Sequence, residues 1–171
     1  IGTCLVGSEM CIRDRVKNAI RIQISPKDPV SKNVNHFVSL IDMDDKRFFL
    51  ENLINGSDGK KIMVFVRTQV RAERLVKAMQ RVGIDSLIIH GGKGQKERNQ
   101  ALKKFKEGEG NLLVATDVSA RGVDVPGVEL VVNYDLPEVA ENYVHRIGRT
   151  GRGNHKGCLL YTSPSPRDRF L

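Results

Sequence analysis

From Lys61 onward, apolar positions follow two alternating patterns along the chain. Short runs of consecutive apolar residues predict strands at Ile62–Val66, Leu87–Ile89, Leu112–Ala115 and Val128–Asn133. Between them, apolar residues recur at helical spacing and predict helices at Gln69–Val82, Gln95–Lys106 and Val139–Ile147. Strands that are apolar throughout are buried on both faces, and their alternation with helices is typical of parallel sheets. The sequence therefore predicts an α/β fold in which helices cover both faces of a mainly parallel sheet.

The chain before Lys61 is predicted to add two strands and one helix. Alternating apolar and polar residues favour a strand at Ala19–Ile24, and Asn35–Ile41 is a second short candidate. Asp44 and Asp45 open a helix that Asn55 and Gly56 close. In the helix at 69–82, the residues expected to face the core are Val70, Leu75, Val76 and Met79.

Composition narrows the class of protein. The 171 residues are enough for one domain, and 40% hydrophobic with 28% charged residues argues against disorder and against a coiled coil. No apolar run approaches the roughly 18 residues of a membrane span, and no secretory signal is visible. We therefore expect a cytoplasmic, monomeric protein without a membrane contact. The net charge of +8 permits a polyanionic partner.

The two ends of the chain are related through the genetic code. One permitted coding of Ile1–Arg15, read on the opposite strand and two bases in, encodes all of Cys158–Leu171. Both ends also resemble translated adapter from transposon-based sequencing libraries, and they hold all three cysteines. We expect residues 1–15 and 158–171 to be foreign and residues 16–157 to be the native domain. The alternative is a genuine inverted repeat in the gene.

These ends carry two structural expectations. Ile1–Arg15 should pack loosely against the domain. Cys158–Tyr161 is apolar and compatible with β structure, so it should join the sheet near the Leu112 strand and cover an open edge. From Ser163 onward the chain should leave the domain, because Pro164 and Pro166 cannot continue a ladder.

Polar and glycine residues follow the predicted strands at their carboxyl ends, where parallel sheets bind ligands. They are Thr68, His90–Gly94, Thr116-Asp117 and Tyr134-Asp135. The glycines of His90–Gly94 can expose N–H groups to a phosphate, or form a flexible turn. Gln95 and Arg98 in the next helix can reach the same anion, or lie on a solvated face. Thr116-Asp117 can equally be the start of a helix.

A basic segment, Tyr143–Arg152, follows the last strand. Arg149 and Arg152 lie three residues apart beside a helix end, so two guanidiniums can reach one anion. The alternative is a solvated basic helix end that the helix dipole favours.

Together these segments resemble the second RecA-like domain of a DEAD-box ATP-dependent RNA helicase, over about Ile24–Gly157. Ile62–Thr68 resembles motif IV, Gln95-x-x-Arg98 the Gln-x-x-Arg motif, Ala115–Asp124 motif V, and Tyr143–Arg152 motif VI. His145 favours DEAD-box proteins, since DEAH-box and RecQ-type helicases usually carry Gln there. Gly92 and Gly94 depart from the family, which usually has Asp or Asn and a small polar residue. We expect this loop to be more mobile as a result.

The resemblance implies a three-layer RecA-like fold of the P-loop NTPase type and a role for each matching residue. Arg149 and Arg152 would be arginine fingers on the γ-phosphate of ATP, and His145 would bridge to the first domain. Gly122 and Asp124 would touch the nucleotide. The residues implied to hold RNA are Thr68, Gly91, Gln95, Arg98 and Thr116.

The sequence contains neither a Walker A loop nor Asp-Glu-Ala-Asp. In the resembled family these belong to the first domain, which holds most of ATP and its Mg²⁺. We therefore expect a truncated helicase fragment that is inactive alone, with RNA and the N-terminal RecA-like domain as partners. The alternative is a non-catalytic RNA-binding module that uses the same surface.

Overall fold

The computed structural model describes residues 20–21, 34–120, 123, 125, 127–150 and 157–163. Within these ranges one sheet runs in the order β1-β2-β7-β6-β3-β5-β4. Its strands are β1 (Ile20–Arg21), β2 (Val34–Leu40), β3 (Ile62–Phe65), β4 (Ser86–Ile89), β5 (Leu112–Ala115), β6 (Leu130–Asn133) and β7 (Gly157–Ser163). Neighbours run parallel, apart from the antiparallel pair β1 and β2. The predicted α/β fold with a mainly parallel sheet is confirmed.

The described helices begin and end close to the predicted positions, apart from the short one at Asp117–Ala120, which was expected only as an alternative at Thr116-Asp117. They are α1 (Lys46–Asn55), α2 (Gln69–Arg81), α3 (Gln95–Glu107), the short α4 (Asp117–Ala120) and α5 (Ala140–Ile147). Thr68 caps α2, because its hydroxyl accepts a hydrogen bond from the Arg71 N–H at 3.2 Å. Gly108 ends α3 with a φ of 82°, a left-handed conformation that glycine adopts without strain.

The sheet separates two apolar clusters, as a three-layer fold requires. Successive side chains of a strand point to opposite faces. Ile62 and Val64 of β3 accordingly pack on the side of α1 and α2. Met63 and Phe65 of the same strand pack on the side of α3 and α5. The four residues of β3 are at most 1% exposed, which confirms that this strand is buried on both faces.

The expected inward face of α2 is correct except at Val70. Leu75, Val76 and Met79 are buried, whereas Val70 is 59% exposed. At 3.6 residues per turn, Val70 lies about 180° around the helix from Met79, so the two cannot face the same layer. Ala72 takes the inward position in that turn and is fully buried.

The C-terminal strand joins the sheet as expected, but at a different place. β7 pairs in parallel with β2 on one side and with β6 on the other. It therefore fills an interior position, and the expectation of an edge near β5 (the Leu112 strand) is wrong. Ser163 still belongs to the ladder, opposite Leu40, so the departure predicted from Ser163 is also wrong. The expected loose packing of Ile1–Arg15 lies outside the described residues.

A buried pair of rings connects β2 to α5. The Tyr143 hydroxyl lies 2.8 Å from His36 Nδ1, and the ring centroids are 6.1 Å apart. Burial lowers the pKa of His36 from its ordinary 6.5 and raises the pKa of Tyr143 to about 12. The tyrosine therefore stays protonated and the imidazole stays neutral at neutral pH, and one hydrogen bond joins the two groups.

Acid should lower the stability of the fold through His36. In the unfolded chain His36 takes up a proton as the pH falls through about 6.5, while folded His36 resists until a lower pH. We therefore expect the free energy of unfolding to fall between pH 7.5 and pH 5.5, as measured by urea denaturation. His36→Leu should reduce this pH dependence. An equal pH dependence in wild type and His36→Leu would contradict the assignment.

Candidate functional site

The residues expected at one rim of the sheet do lie at the carboxyl ends of neighbouring strands. β3 pairs in register with β5 and β6, and β5 pairs with β4, so these four strands end together. The segments that follow them begin at Val66, His90, Thr116 and Tyr134. The predicted placement of the rim is therefore confirmed.

The glycine loop after β4 is organised by the buried side chain of His90. The Gly92 N–H donates to His90 Nδ1 at 3.1 Å. Because Nδ1 accepts, Nε2 carries the proton and donates to Glu73 at 3.2 Å. A further turn bond joins the Lys93 N–H to the His90 carbonyl at 3.0 Å. The imidazole thus ties the loop to α2.

The first turn of α3 presents Gln95 and Arg98 together. The Gln95 amide donates to Asn99 Oδ1 at 2.9 Å, and its oxygen accepts from Arg98 Nη1 at 3.4 Å. Arg98 Nη2 donates to the Ser119 carbonyl of α4 at 3.2 Å. Glu97 accepts from the Gly94 N–H at 3.0 Å and so caps the helix. The guanidinium of Arg98 is partly exposed between α3 and α4.

Thr116 is buried at the start of α4. Its hydroxyl lies 3.0 Å from Ser119 Oγ, and Ser119 Oγ also donates to the Ile89 carbonyl at 2.9 Å. The Thr116 carbonyl accepts from the Ala120 N–H at 3.1 Å. Thr116 therefore starts a helical turn, which is the alternative that the sequence left open.

Arg146 of α5 joins three elements beneath the rim. It is 1% exposed and binds Asp117 through two hydrogen bonds, Nε–Oδ1 at 2.6 Å and Nη2–Oδ2 at 2.7 Å. Its Nη1 donates to Asn133 Oδ1 and to the Asp135 carbonyl, both at 2.7 Å. The guanidinium carbon also lies 4.9 Å from the centroid of the Phe65 ring. Arg146 fixes α5 against β3, β6 and α4.

The Asp135 carboxylate follows β6, the neighbour of β3 in the sheet, and holds the start of α2. Its Oδ2 accepts from the Arg67 N–H at 3.0 Å, and its Oδ1 lies 2.8 Å from Arg71 Nη2. Asp135 is buried, so this charge is balanced by Arg71 at the protein surface. The contact holds Thr68, between Arg67 and α2, in a fixed position.

Arg149 lies on the turn after α5, beside a small cleft that is partly open to solvent. Arg149 Nη1 donates to the Val123 carbonyl. His145 lines the same cleft, is 47% exposed at its side chain, and lies 3.4 Å from Glu141 through Nε2. The other residues that line the cleft are Phe65, Asp117, Ala120, Asn142 and Arg146.

Residues 45–154 match the family described as the helicase conserved C-terminal domain. DEAD-box ATP-dependent RNA helicase 5 of Arabidopsis thaliana is 42% identical over 90% of this chain, which covers 29% of that protein. Across the curated relatives compared, the chain spans 21% to 34% of their length. Two solved structures share the fold. The Escherichia coli DEAD-box protein SrmB, bound to regulator of ribonuclease activity A, has a TM-score of 0.71 at 35% identity, covering 78% of each chain. The C-terminal domain of the DEAD-box protein Dbp5 has a TM-score of 0.69 at 32% identity, covering 82% of this chain and 80% of that one.

The chain belongs to the DEAD-box helicase C-terminal domain family. The fold is accordingly RecA-like, as the resemblance implied. Thr68, Gly91, Gln95 and Arg98 lie along one stretch of the rim, at the starts of α2 and α3 and in the loop between β4 and α3. Arg149 and His145 line the cleft beside α5. Gly122, Asp124 and Arg152 lie outside the described residues, although Arg149 contacts Val123, which stands between the first two.

Sequence reasoning missed Arg146, which is only 1% exposed. One signal was available in the sequence. Arg146 lies next to the apolar Ile147 and three residues after Tyr143, on the inward side of the predicted helix.

Within the described ranges, no group of three His, Cys, Asp or Glu side chains is arranged to hold a metal ion. Every helix in the described part of the chain is too short or too polar to cross a membrane.

Proposed function

We propose that this chain is the part of an ATP-dependent RNA helicase that binds the RNA backbone and supplies arginine fingers for ATP hydrolysis. The observation that carries the proposal is the arrangement of one rim. Arg98, Gln95 and Thr68 lie at one end, and Arg149 and His145 lie in the α5 cleft, with α4 between the two groups. The partners in the proposal are RNA and the N-terminal RecA-like domain of the full-length protein, with the chain acting as a monomer.

The RNA side of the proposal rests on polar groups that are exposed or partly exposed to solvent at the rim. Arg98 uses two of its nitrogens within the protein, which orients the guanidinium while leaving N–H groups for a phosphate. Gly91 lets the RNA backbone approach the loop closely, and Gln95 and Thr68 line the first turns of the two adjoining helices. Thr116 is buried and its hydroxyl is engaged with Ser119, so its part in this proposal is to start α4, whose Ser119 carbonyl holds Arg98. Contacts of this kind position a strand without reading its sequence.

The nucleotide side rests on the cleft at α5. Arg149 Nη1 donates to the Val123 carbonyl, which orients a planar, permanently charged group at this cleft. We propose that Arg149 and Arg152 meet the γ-phosphate, that Gly122 and Asp124 contact the nucleotide, and that His145 bridges to the N-terminal domain. A guanidinium such as that of Arg149 binds phosphate oxygens through charge-assisted hydrogen bonds. ATP supplies the transferred phosphoryl group when bound, and in this proposal the N-terminal domain holds most of it together with Mg²⁺.

RNA binding can be tested on this chain with Arg98. We expect Arg98→Ala to weaken binding to a fluorescein-labelled single-stranded RNA by about tenfold or more, because a hydrogen bond to a charged group is lost. The slope of log affinity against log salt should fall by about 1. Fluorescence anisotropy over a series of salt concentrations measures both quantities.

Lys103→Ala is the matched control, since it removes an equal charge from the exposed face of α3. We expect it to change RNA affinity much less than Arg98→Ala. Equal effects of the two variants would mean that only net charge attracts RNA, and the proposed surface would be wrong.

A further inference from the structure

The side chain of Gln69 lies over the glycine loop that follows β4. A Cβ atom placed on Gly92 would be 2.6 Å from Gln69 Oε1, and one placed on Gly91 would be 3.4 Å from Gln69 Nε2. A side chain at position 92 would therefore displace the Gln69 amide from this place. Gly92 is not among the glycines with positive φ, so its backbone does not itself demand glycine. The missing side chain at Gly92 therefore makes room for Gln69.

The amide of Gln69 is uncommitted, unlike the polar groups around it. Thr68 Oγ1 accepts from the Arg71 N–H, and Gln95 is bonded at both its nitrogen and its oxygen. Among the described residues, Gln69 has no hydrogen bond from its side chain. It is exposed, and it offers one acceptor and two donors directly beside Gly91.

We propose that Gln69 binds the ribose 2′-hydroxyl of a bound RNA strand and that Gly92 admits it to this position. A 2′-hydroxyl can both donate and accept a hydrogen bond, and a side-chain amide carries an acceptor oxygen and a donor nitrogen that match it. Phosphate contacts do not distinguish RNA from DNA, because both polymers carry the same phosphates. Gln69 thus gives this surface a preference for RNA that Arg98 cannot give. The inference rests on the proposed RNA-binding function of the rim.

The test compares one RNA with the DNA of the same sequence, both single-stranded and fluorescein-labelled, by anisotropy with this chain. We expect Q69A to weaken RNA binding by about three- to tenfold, the value of one hydrogen bond, and to leave DNA binding nearly unchanged. G92A should have the same effect, because its methyl group displaces the amide. The double variant Q69A/G92A should be no worse than either single variant, since both remove the same contact.

G94A is the matched control for the glycine change. A Cβ there would meet Glu97 Oε2 at 3.6 Å, an ordinary contact, so RNA and DNA affinities should stay close to wild type. Q69A keeps the test independent of any shift that G92A causes at His90, whose Nδ1 would lie 3.1 Å from the new Cβ. Gln69 is exposed, and its replacement leaves the core untouched.

The outcomes separate this inference from the function beneath it. If Q69A leaves the ratio of RNA to DNA affinity unchanged while Arg98→Ala still weakens RNA binding, the role of Gln69 is wrong and the RNA surface stands. If Arg98→Ala also leaves RNA affinity unchanged, the proposed function itself fails and takes the inference with it. Strictly additive losses in Q69A/G92A would overturn the part assigned to Gly92.

Discussion

Replacing Arg149 by alanine should lower the kcat of ATP hydrolysis by roughly 10³–10⁵, the range of arginine fingers, once the chain is joined to the N-terminal RecA-like domain of a relative. The physical reason is that charge develops on the γ-phosphoryl oxygens in the transition state, where a fixed guanidinium stabilises it most. Arg152→Ala should have an effect of similar size. Arg149→Lys should recover little activity, because an ammonium group cannot replace the planar fork.

The measurement is RNA-stimulated phosphate release at saturating ATP, with RNA affinity followed in parallel. RNA affinity should change far less than kcat, since Arg149 lies at α5 and the proposed RNA surface lies at α2 and α3. Arg74→Ala, at an exposed position of α2, is the matched control and should hydrolyse ATP at the wild-type rate. Normal hydrolysis by both finger variants would favour the alternative, a solvated basic helix end.

The same assay tests the chain without an added domain. Its sequence has neither a Walker A loop nor an Asp-Glu-Ala-Asp segment. We therefore expect no ATP hydrolysis by this chain alone, with or without RNA, because a finger acts only on a phosphate held by other groups. Hydrolysis by the chain alone would contradict the division of roles between two domains. If the joined protein binds RNA but never hydrolyses ATP, the non-catalytic RNA-binding module becomes the better description.

Local patterns were sufficient for the elements that bear the site. β5 was predicted with its observed ends because Leu112–Ala115 is a continuous apolar run between polar residues. The end of α3 was predicted to within one residue because Gly108 is a strong terminator. The common rim followed from the parallel alternation of strands and helices alone.

Strand order and burial of charge depend on contacts that are distant in sequence. Nothing local in Cys158–Tyr161 indicates that β7 lies between β2 and β6, since any apolar run can extend a sheet. Arg146 and Arg149 look alike in the sequence, three residues apart. Only the tertiary fold brings Asp117 and Asn133 to the first of them.

Replacing Arg146 should therefore lower the free energy of unfolding strongly. Arg146→Ala removes the cation that pairs with the Asp117 carboxylate and the hydrogen bond from Arg146 Nη1 to Asn133 Oδ1. Breaking a buried ion pair from one side typically costs about 3–5 kcal/mol, a large share of the roughly 5–15 kcal/mol that stabilises an ordinary domain. We expect the urea midpoint of Arg146→Ala to fall sharply, or the variant to be unfolded even without urea.

Urea denaturation followed by far-ultraviolet circular dichroism suits this chain, which has no tryptophan. Arg146→Lys keeps the test informative if the alanine variant does not fold. It retains the charge but loses the paired bonds to Asp117 and the planar contact with Phe65, so an intermediate loss is expected. Arg74→Ala, an exposed arginine, should change the free energy of unfolding by no more than about 0.5 kcal/mol.

The pair with Asp117 can be isolated by a double-mutant cycle. Arg146→Met and Asp117→Asn should each destabilise the chain, because each removes one charge and leaves the opposite charge of the pair without its counter-ion. The two together should cost less than the sum of the single losses, since neither charge is then left alone. Such coupling would show that the carboxylate is what holds the guanidinium beneath the rim, and with it the position of α5 and its cleft. A midpoint for Arg146→Ala equal to that of Arg74→Ala would refute this role, whatever the cycle gave.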